Sequence, residues 1–370
     1  MKIIIDNKIP LLKGLLESWA TVEYVHGDMI SNKIIRDADA MIIRTRTHCD
    51  ADLLKGSPVK FIGTASIGTD HIDLDWCLKN GIFIASAPGC NSGSVMQYLC
   101  SALLHLSLKN NIEPCKTTIG IIGVGNVGRK VAAIAEIIGF KVLRNDPPRQ
   151  RAEGSTEFVP LDELLEASDI VSMHVPLTFK GTDKTYHMAD NNFFLKMQEN
   201  SFFINTARGP VMDEKALLKQ LQAGKIRAVV IDVWKDEPDI NIDLLNAAEI
   251  GTSHIAGYSA DGKSTCSMMV VRQLAEYFDL PLKDWKPLQL MEPDNPIIDL
   301  SRSEGSDLEV LAKAVMQTYN IERDSNLLKN NPDQFEKLRG DYPNRREFHA
   351  YKVKGYNKTV LNKLRTLGFR

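Results

Sequence analysis

Three polar residues that could do acid–base chemistry stand just after three short apolar segments. Arg208, Glu237 and His254 each follow a run rich in β-branched or aromatic residues. If these runs are parallel strands, their carboxyl ends meet at one edge of a sheet, where ligands bind. A histidine can take a hydroxyl proton, a glutamate can orient the ring and favour its protonated form, and an arginine can hold a carboxylate as a fork. Any one alone would be an ordinary residue, but the three together predict hydride transfer from a hydroxy acid.

A glycine-rich turn supplies the matching cofactor site. The segment GVGNVG lies between a predicted strand at 119–122 and a predicted helix from about 127 to 138. The first glycine lets the chain turn, the second lets the backbone approach a pyrophosphate, and the third lets the helix pack closely against the strand. The helix N-terminus offers unpaired N–H groups to the phosphates. The predicted cofactor residues of this turn are Gly123, Gly125, Asn126, Val127 and Gly128.

Asp146 completes the predicted dinucleotide motif. It stands 18 residues after Gly128, at the end of a second predicted strand at 141–144. A carboxylate there can accept hydrogen bonds from ribose hydroxyls and repel a 2′-phosphate, which favours NAD over NADP. Arg149 and Arg151 follow closely and leave NADP open as the alternative.

The elements that must position these residues alternate between strand and helix, which predicts an α/β fold with two doubly wound parallel sheets. The predicted strands are 2–5, 21–25, 40–44, 60–63 and 82–85 for the first sheet, and 119–122, 141–144, 170–173, 201–205, 228–232 and 249–251 for the second. The predicted helices are 10–20, 74–80, 93–108 and 261–278, the last returning to the first domain, and one that Asp213 caps and Gly224 ends. Beyond residue 281, the sequence predicts an α+β module with helices at 307–319 and 333–338 and a strand at 347–353.

Composition restricts the class of protein. The 370 residues are 44% apolar and 25% charged, with a net charge of −2, so no broad attraction to nucleic acid or an anionic membrane is expected. The six cysteines form no CxxC pair and no metal-finger spacing with histidine, so no metal site is predicted. No apolar run reaches the length of a membrane span or a signal peptide. We therefore expect a cytoplasmic enzyme.

Four motifs give the sequence a family resemblance. Residues 1 to about 280 resemble the D-isomer-specific 2-hydroxyacid dehydrogenases through GVGNVG at 123–128, INTARG at 204–209, DVWKDEP at 232–238 and SHIAGY at 253–258. The resemblance implies a Rossmann-type NAD domain at 96–256 inserted in a flavodoxin-like substrate domain at 1–95 and 257–280. It also implies that residues 281–370 form a C-terminal α+β dimerisation module, and hence a homodimer. The implied cofactor is NAD and the implied substrate is a small phosphorylated hydroxy acid.

Individual residues match family positions. The resemblance implies that Arg208 and Glu237 form a catalytic pair and that His254 is the proton donor. The implied NAD-binding positions are Asp146, Val175, Thr206, Ala207, Arg208, Asp232 and Gly257, and the implied substrate-binding positions are Thr45, Ser66 and Tyr258. Gln97 stands where the family commonly carries glutamate, which we expect to alter polar contacts between domains and not the chemistry.

The substrate phosphate requires cations, and Arg44 and Arg46 flank Thr45. We expect one of them to meet the phosphate, helped by a tail arginine, Arg345 or Arg346, of a partner subunit. Two alternatives stay open at this point. The enzyme could act on another 2-hydroxy acid such as 3-phosphoglycerate, or the chain could be a binding protein that senses NAD on the same fold. A pure binding protein would need none of the three catalytic residues.

Overall fold

The computed structural model describes residues 1–287 and 290–370. The chain divides into two compact units, one formed by residues 1–91 and 259–291 and the other by residues 92–258 and 292–370. The predicted boundaries of a three-domain chain stay a prediction. No helix in the described part of the chain has the length and apolar character needed to cross a membrane.

The first unit is built on a five-stranded parallel sheet. Its strands are β1 (Lys2–Asp6), β2 (Thr21–Val25), β3 (Ala40–Ile43), β4 (Phe61–Thr64) and β5 (Phe83–Ala85), in the order β2-β1-β3-β4-β5. This order is that of the flavodoxin-like doubly wound fold, as predicted. The helices of the unit are Ala51–Leu54, Leu74–Lys79 and Ala260–Tyr277. Cys90 and Cys266, both in this unit, are joined as a disulfide, which the sequence did not predict.

The helix predicted at 10–20 is wrong, because the segment forms successive turns. Leu11 and Gly14 have φ values of 70° and 82°, in the left-handed region that ends a right-handed helix. The Glu17 carboxylate accepts hydrogen bonds from the backbone N–H groups of Gly14 and Leu16. A side chain that satisfies local N–H groups competes with helical hydrogen bonding. The apolar periodicity of the segment therefore reflects packing against the first sheet and not helix formation.

The second unit contains a six-stranded parallel sheet. Its strands are β6 (Thr118–Ile122), β7 (Lys141–Asn145), β8 (Ile170–Met173), β9 (Ser201–Asn205), β10 (Ile226–Ile231) and β11 (Ile250–Gly251), in the order β11-β10-β9-β8-β6-β7. Phe158 forms a single parallel bridge with Arg144 beyond the β7 edge. If that bridge is counted as a strand, the sheet has the Rossmann strand order that the glycine motif predicted.

Seven helices of this unit precede residue 258: Ser92–Lys109, Gly128–Ile138, Pro147–Glu153, Leu161–Ala167, Asn191–Lys196, Glu214–Gln222 and Ile242–Ala247. The first is buried on nearly all sides, because it packs against both the helix Gly128–Ile138 and the C-terminal segment. Gln97 in this helix donates hydrogen bonds to the Arg346 carbonyl and to the Thr318 hydroxyl. Its amide thus joins the helix Ser92–Lys109 to the C-terminal part of the unit.

The C-terminal part is an α+β segment, as predicted. It has a parallel pair of strands, β12 (Ile297–Asp299) and β13 (Lys352–Lys354), and helices Asp307–Thr318, Ile321–Asn330, Phe335–Gly340 and Lys358–Leu367. The strand predicted at 347–353 is wrong in its first half, because Phe348–Ala350 form a 3-10 turn. The apolar side chains of Phe348 and Ala350 fill the core of the unit, which explains the apolar pattern that suggested a longer strand. The dimerisation role of this segment stays a prediction.

Candidate active site

The glycine turn has the geometry that its three predicted roles require. Gly123 has a φ of +83°, and a Cβ there would lie 2.9 Å from the His174 backbone. A Cβ on Gly128 would lie 1.9 Å from the Gly123 carbonyl oxygen, so only glycine allows the helix this close to the turn. Gly125 faces open space, with no atom within 4 Å of such a Cβ. The turn is therefore closed on the protein side and open where a pyrophosphate would approach.

Asp146 is hydrogen-bonded to this turn. Its carboxylate accepts hydrogen bonds from the Val124 N–H at 2.8 Å and from the Arg149 N–H at 3.1 Å, at the start of the helix Pro147–Glu153. The Arg149 guanidinium donates to the Val124 carbonyl at 2.6 Å and pairs with Glu153 at 2.7 Å. Arg151 pairs with Asp183 at 2.5 Å. Both arginines that could have served a 2′-phosphate already have anionic partners.

His174 and Val175, which directly follow β8, form the floor beneath the glycine turn. The side chain of Val175 is half-buried, and one of its methyl carbons would lie 2.9 Å from a Cβ on Gly123. The ring of His174 is held by the Ser172 hydroxyl at 2.9 Å from Nε2. Burial lowers the pKa of His174 to about 3, so the ring is neutral at physiological pH. This floor adds no positive charge to the cofactor site.

The loop after β9 carries Arg208. The Asn205 side chain bridges the loop, because its amide donates to the Arg208 carbonyl and its oxygen accepts from the Ala207 N–H, both at 3.0 Å. The Thr206 hydroxyl oxygen is buried and has no hydrogen-bond partner among the described residues. A buried polar atom of this kind requires a partner. A cofactor bound beside Thr206 and Ala207 would supply one, so these residues fit the group that the sequence implies.

The structure brings Glu237 and His254 into direct contact. The Nδ1 atom of His254 lies 2.8 Å from Oε2 of Glu237, and Oε1 of Glu237 accepts from the Trp234 N–H at 2.9 Å. The side chain of His254 is 27% exposed and that of Glu237 is 16% exposed. Burial alone would raise the pKa of Glu237, but the charges of His254 and Arg339 and the two hydrogen bonds outweigh it, so the pKa lies below its usual value. The carboxylate is therefore ionised at neutral pH and holds the Nδ1 side of the ring, which leaves Nε2 for a substrate proton.

Asp232 positions the loop that carries His254. Its buried carboxylate accepts hydrogen bonds from the Thr252 hydroxyl at 2.7 Å, the Ile255 N–H at 2.8 Å and the Ala256 N–H at 2.9 Å. His254 has a φ of +56°, which is uncommon for a residue other than glycine. The carboxylate holds the backbone immediately after this strained position. The predicted NAD contact of Asp232 stays a prediction, and the structure adds this second role.

Two family models match the chain. The one described as "D-isomer specific 2-hydroxyacid dehydrogenase, NAD binding domain" matches residues 107–256, and a "Domain of unknown function (DUF3410)" matches residues 290–368. The erythronate-4-phosphate dehydrogenase of Bacteroides thetaiotaomicron is 48% identical over 356 residues, which are 96% of this chain and 99% of that protein. The enzyme of the same name from Porphyromonas gingivalis is 37% identical over 370 residues, with full coverage of both chains. The chain belongs to the D-isomer-specific 2-hydroxyacid dehydrogenase family.

Solved structures of other dehydrogenases agree with the fold. The D-lactate dehydrogenase of Aquifex aeolicus, complexed with NAD and lactic acid, is 26% identical with a TM-score of 0.64 and covers 77% of this chain and 97% of its own. The NAD-bound 3-phosphoglycerate dehydrogenase of Entamoeba histolytica has a TM-score of 0.65, covers 79% of this chain and 99% of its own, and at 24% identity shows the fold alone. NAD is accordingly the cofactor of this dehydrogenase, and residues 107–256 form its NAD-binding domain.

The three predicted substrate residues are divided between the two units. Thr45 follows β3 and is exposed, and Ser66 follows β4 with its hydroxyl hydrogen-bonded to the Thr64 hydroxyl at 2.7 Å and to the Gly68 carbonyl at 2.9 Å. Tyr258 follows the His254 loop in the second unit, and Gly257 precedes it. The backbone turn there is closed by a hydrogen bond from the Tyr258 N–H to the Ile255 carbonyl.

Two of the predicted phosphate-binding arginines have hydrogen-bond partners within the chain. The Arg44 guanidinium donates two hydrogen bonds to the fully buried Asp6 carboxylate, at 2.9 and 3.2 Å. Arg345 is 6% exposed and donates to the Ala256 carbonyl of its own chain at 2.6 Å. Arg345 does not extend outward, because its guanidinium is packed against the Tyr319 ring, 4.4 Å from the ring centroid. The predicted help from a tail arginine of a partner subunit stays a prediction for Arg346.

The sequence reasoning missed Arg339. It belongs to the helix Phe335–Gly340, and its Nη1 atom lies 3.6 Å from Oε2 of Glu237. One signal was available, because Arg339 stands four residues after the buried Phe335 and next to Leu338, which packs on the same core. An arginine at helical spacing on an apolar face is buried and needs an anionic partner.

Proposed function

We propose that the protein oxidises 4-phospho-D-erythronate at C2 to (R)-3-hydroxy-2-oxo-4-phosphooxybutanoate with NAD, a step of pyridoxal 5′-phosphate biosynthesis. The observation that carries the proposal is full-length similarity to relatives named erythronate-4-phosphate dehydrogenase, which includes the C-terminal segment. The contact between Glu237 and His254 supports the reaction type, since it gives a ring nitrogen positioned for proton transfer.

In the proposed reaction the C2 hydroxyl proton passes to Nε2 of His254. Glu237 holds Nδ1 and stabilises the imidazolium that results. Arg208 binds the substrate carboxylate as a fork and polarises the oxygen at C2. NAD, when bound, supplies the acceptor for the hydride that leaves C2. The glycine turn, Asp146, Val175, the segment 206–208, Asp232 and Gly257 are the residues that we propose to hold it.

We propose that Thr45, Ser66 and Tyr258 bind the substrate hydroxyls and that Arg44 or Arg46 meets the phosphate. Arg46 is the better placed of the two arginines, because its side chain is 37% exposed, whereas that of Arg44 is 28% exposed and paired with the buried Asp6. Replacing each arginine singly by alanine tests this assignment. An unchanged KM for the phosphorylated acid in both variants would exclude both arginines as the phosphate site.

The C-terminal segment supports two further proposals about the assembly. We propose that the protein is a homodimer held through residues 281–370, and that it works in the cytoplasm. Light scattering on the full chain would measure twice the mass of one chain, 41.3 kDa, if the first proposal is correct.

Turnover of a panel of acids tests the proposed reaction. The assay follows NADH formation with 4-phosphoerythronate, 3-phosphoglycerate and unphosphorylated 2-hydroxy acids at equal concentrations. We expect the highest kcat/KM with 4-phosphoerythronate. Turnover of 3-phosphoglycerate alone would overturn the substrate assignment, and binding of NAD with no turnover of any acid would favour an NAD-sensing protein.

A further inference from the structure

One cation from the C-terminal segment contacts the acid–base pair. Nη1 of Arg339 lies 3.6 Å from Oε2 of Glu237, the same oxygen that pairs with Nδ1 of His254. The Arg339 side chain is 19% exposed, and its guanidinium carbon lies 5.9 Å from the centroid of the Tyr258 ring. The guanidinium is therefore adjacent both to the carboxylate that orients the catalytic ring and to a tyrosine that we propose to bind the substrate.

The backbone around this cation is firmly held. Phe335, on the same helix, is almost fully buried in the core of the unit. Tyr342 packs edge-on against Tyr258, with ring centroids 6.3 Å apart. Arg345 donates to the Ala256 carbonyl at 2.6 Å. Tyr342 and Arg345, which follow Arg339, fix the C-terminal segment against the loop of residues 254–258, and Phe335 anchors the helix that carries Arg339 in the core of the unit.

A second set of contacts reaches the strand before that loop. The Ser325 hydroxyl accepts from the Gly251 N–H at 3.1 Å, and the Lys329 ammonium group donates to the Ala248 carbonyl at 2.5 Å. The C-terminal segment thus contacts the chain before and after His254. A shift of this segment would move the loop and the guanidinium together.

The placement of Arg339 differs from that of an ordinary surface arginine. Its Nε atom is buried and has no hydrogen-bond partner among the described residues. Its contact with the neighbouring Glu336 is long, at 3.9 Å. A partly buried guanidinium whose Nε donor is unsatisfied costs stability, whereas a solvated arginine at this helix position would not. The arrangement is explained if the charge acts on Glu237.

We propose that Arg339 is a positioning residue for the acid–base pair: it keeps the Glu237 carboxylate ionised and oriented toward Nδ1 of His254. The inference rests on the proposed function, because it assumes that His254 moves the substrate proton. It also gives the C-terminal segment a role in catalysis, in addition to the dimerisation that we propose for it.

The proposal has a definite consequence for pH dependence. The groups that face Glu237 are His254, Arg339 and the Trp234 N–H, and those that face Arg339 are Glu237, Tyr258 and Glu336. Burial raises the pKa of Glu237, while its charged neighbours and hydrogen bonds lower it further than burial raises it. Removing the guanidinium removes one of the lowering influences, so the carboxylate becomes protonated at a higher pH. The acidic limb of the kcat/KM profile, which reports the coupled Glu237–His254 pair, should then move toward higher pH.

The test compares pH profiles of three single variants of the full-length protein. Arg339→Met removes the charge, Arg339→Lys keeps it, and Lys337→Met removes an exposed charge from the same helix as a control. We expect Arg339→Met to lower kcat by roughly tenfold, a fraction of what a general acid–base group contributes. Its acidic limb should move toward higher pH, as expected for loss of an opposite charge beside a carboxylate. Arg339→Lys should restore most of the limb position, and Lys337→Met should match the wild-type protein.

A Glu237→Gln background provides the second measurement, which also serves if Arg339→Met folds poorly, because the polar but uncharged Arg339→Gln can be combined with it instead. If Arg339 acts through Glu237, changing Arg339 in that background should alter kcat by less than about twofold, since coupled residues are not additive. An unmoved acidic limb in Arg339→Met, or fully additive losses in the double variant, would overturn the inference. Wild-type protein that turns over no 2-hydroxy acid would instead refute the proposed function, so the two failures can be told apart.

Discussion

The glycine turn and the His254 loop, which we propose to serve one reaction, are stabilised in different ways. The glycine turn, residues 123–128, depends on backbone shape, since a Cβ at Gly128 would lie 1.9 Å from a carbonyl oxygen and one at Gly125 would meet nothing within 4 Å. The His254 loop, residues 252–258, depends on buried side chains. Asp232 accepts three hydrogen bonds from it, and Arg345 donates to the Ala256 carbonyl.

The difference separates a locally encoded site from one encoded over long distances. All the groups that shape the glycine turn, apart from its floor at 174–175, lie within about 30 residues of one another in the sequence. The groups that shape the His254 loop come from Asp232, directly after β10, from the helix Phe335–Gly340 and from the segment around Arg345. Changes at the turn should therefore affect cofactor affinity, and changes around the loop should affect turnover.

The largest effect is expected at His254. Replacing it by alanine removes the proton acceptor and should lower kcat by about 10²–10⁴-fold, the usual contribution of a general acid–base group. The Kd for NAD, measured by fluorescence titration, should stay within about twofold of the wild-type value, because the glycine turn is unchanged. A large loss of NAD affinity would show that the loop and the turn are not separable as argued.

Two alanine variants should distinguish the packing role of Gly128 from the cofactor role of Gly125. Gly128→Ala forces a Cβ against the Gly123 carbonyl and should lower the free energy of unfolding by about 1–3 kcal/mol or more, as overpacking does. Gly125→Ala has open space and should unfold at nearly the wild-type denaturant concentration. It should nevertheless bind NAD more weakly, because the added methyl group stands where the pyrophosphate approaches. Equal stability of the two variants would contradict the packing role of Gly128.

Asp232→Asn tests the side-chain support of the His254 loop. The amide replaces an acceptor with a donor that faces backbone N–H groups, which should cost about 1–3 kcal/mol of unfolding free energy. We expect kcat to fall more than NAD affinity, because the loop carries the acid–base residue. Asp243→Asn is the matched control, since Asp243 is exposed at the start of the helix Ile242–Ala247. This substitution should change the free energy of unfolding by less than about 0.5 kcal/mol.

The sequence was sufficient for the parts of the molecule that local pattern determines. The strands of both sheets, the helix after Gly128 and the identity of Glu237 and His254 as possible partners could be predicted, because alternating apolar runs place polar residues at strand ends. The turns at 10–20 could not be predicted, because the segment has the apolar periodicity of a helix. The Glu17 carboxylate and the left-handed backbone at Gly14 prevent helix formation there. Arg339 could not be assigned to Glu237 either. Their pairing depends on how a segment 102 residues further along the chain folds back, which no local spacing encodes.

The smallest expected effect lies beside the glycine turn, at Arg149. Its pair with Glu153 is four residues apart on one helix and largely exposed, so it should add little to stability or to binding. Arg149→Gln should therefore change the KM for NAD by less than about threefold, and Glu153→Gln should behave in the same way.

The ratio of activities with NADP and NAD is the informative measurement. Because Arg149 is already bound to Glu153 and the Val124 carbonyl, its removal should leave that ratio unchanged, with Asp146 still excluding a 2′-phosphate. A selective loss of NADP-dependent activity in Arg149→Gln would mean that the arginine exchanges Glu153 for the phosphate, and that side chains as well as backbone determine cofactor choice at the glycine turn.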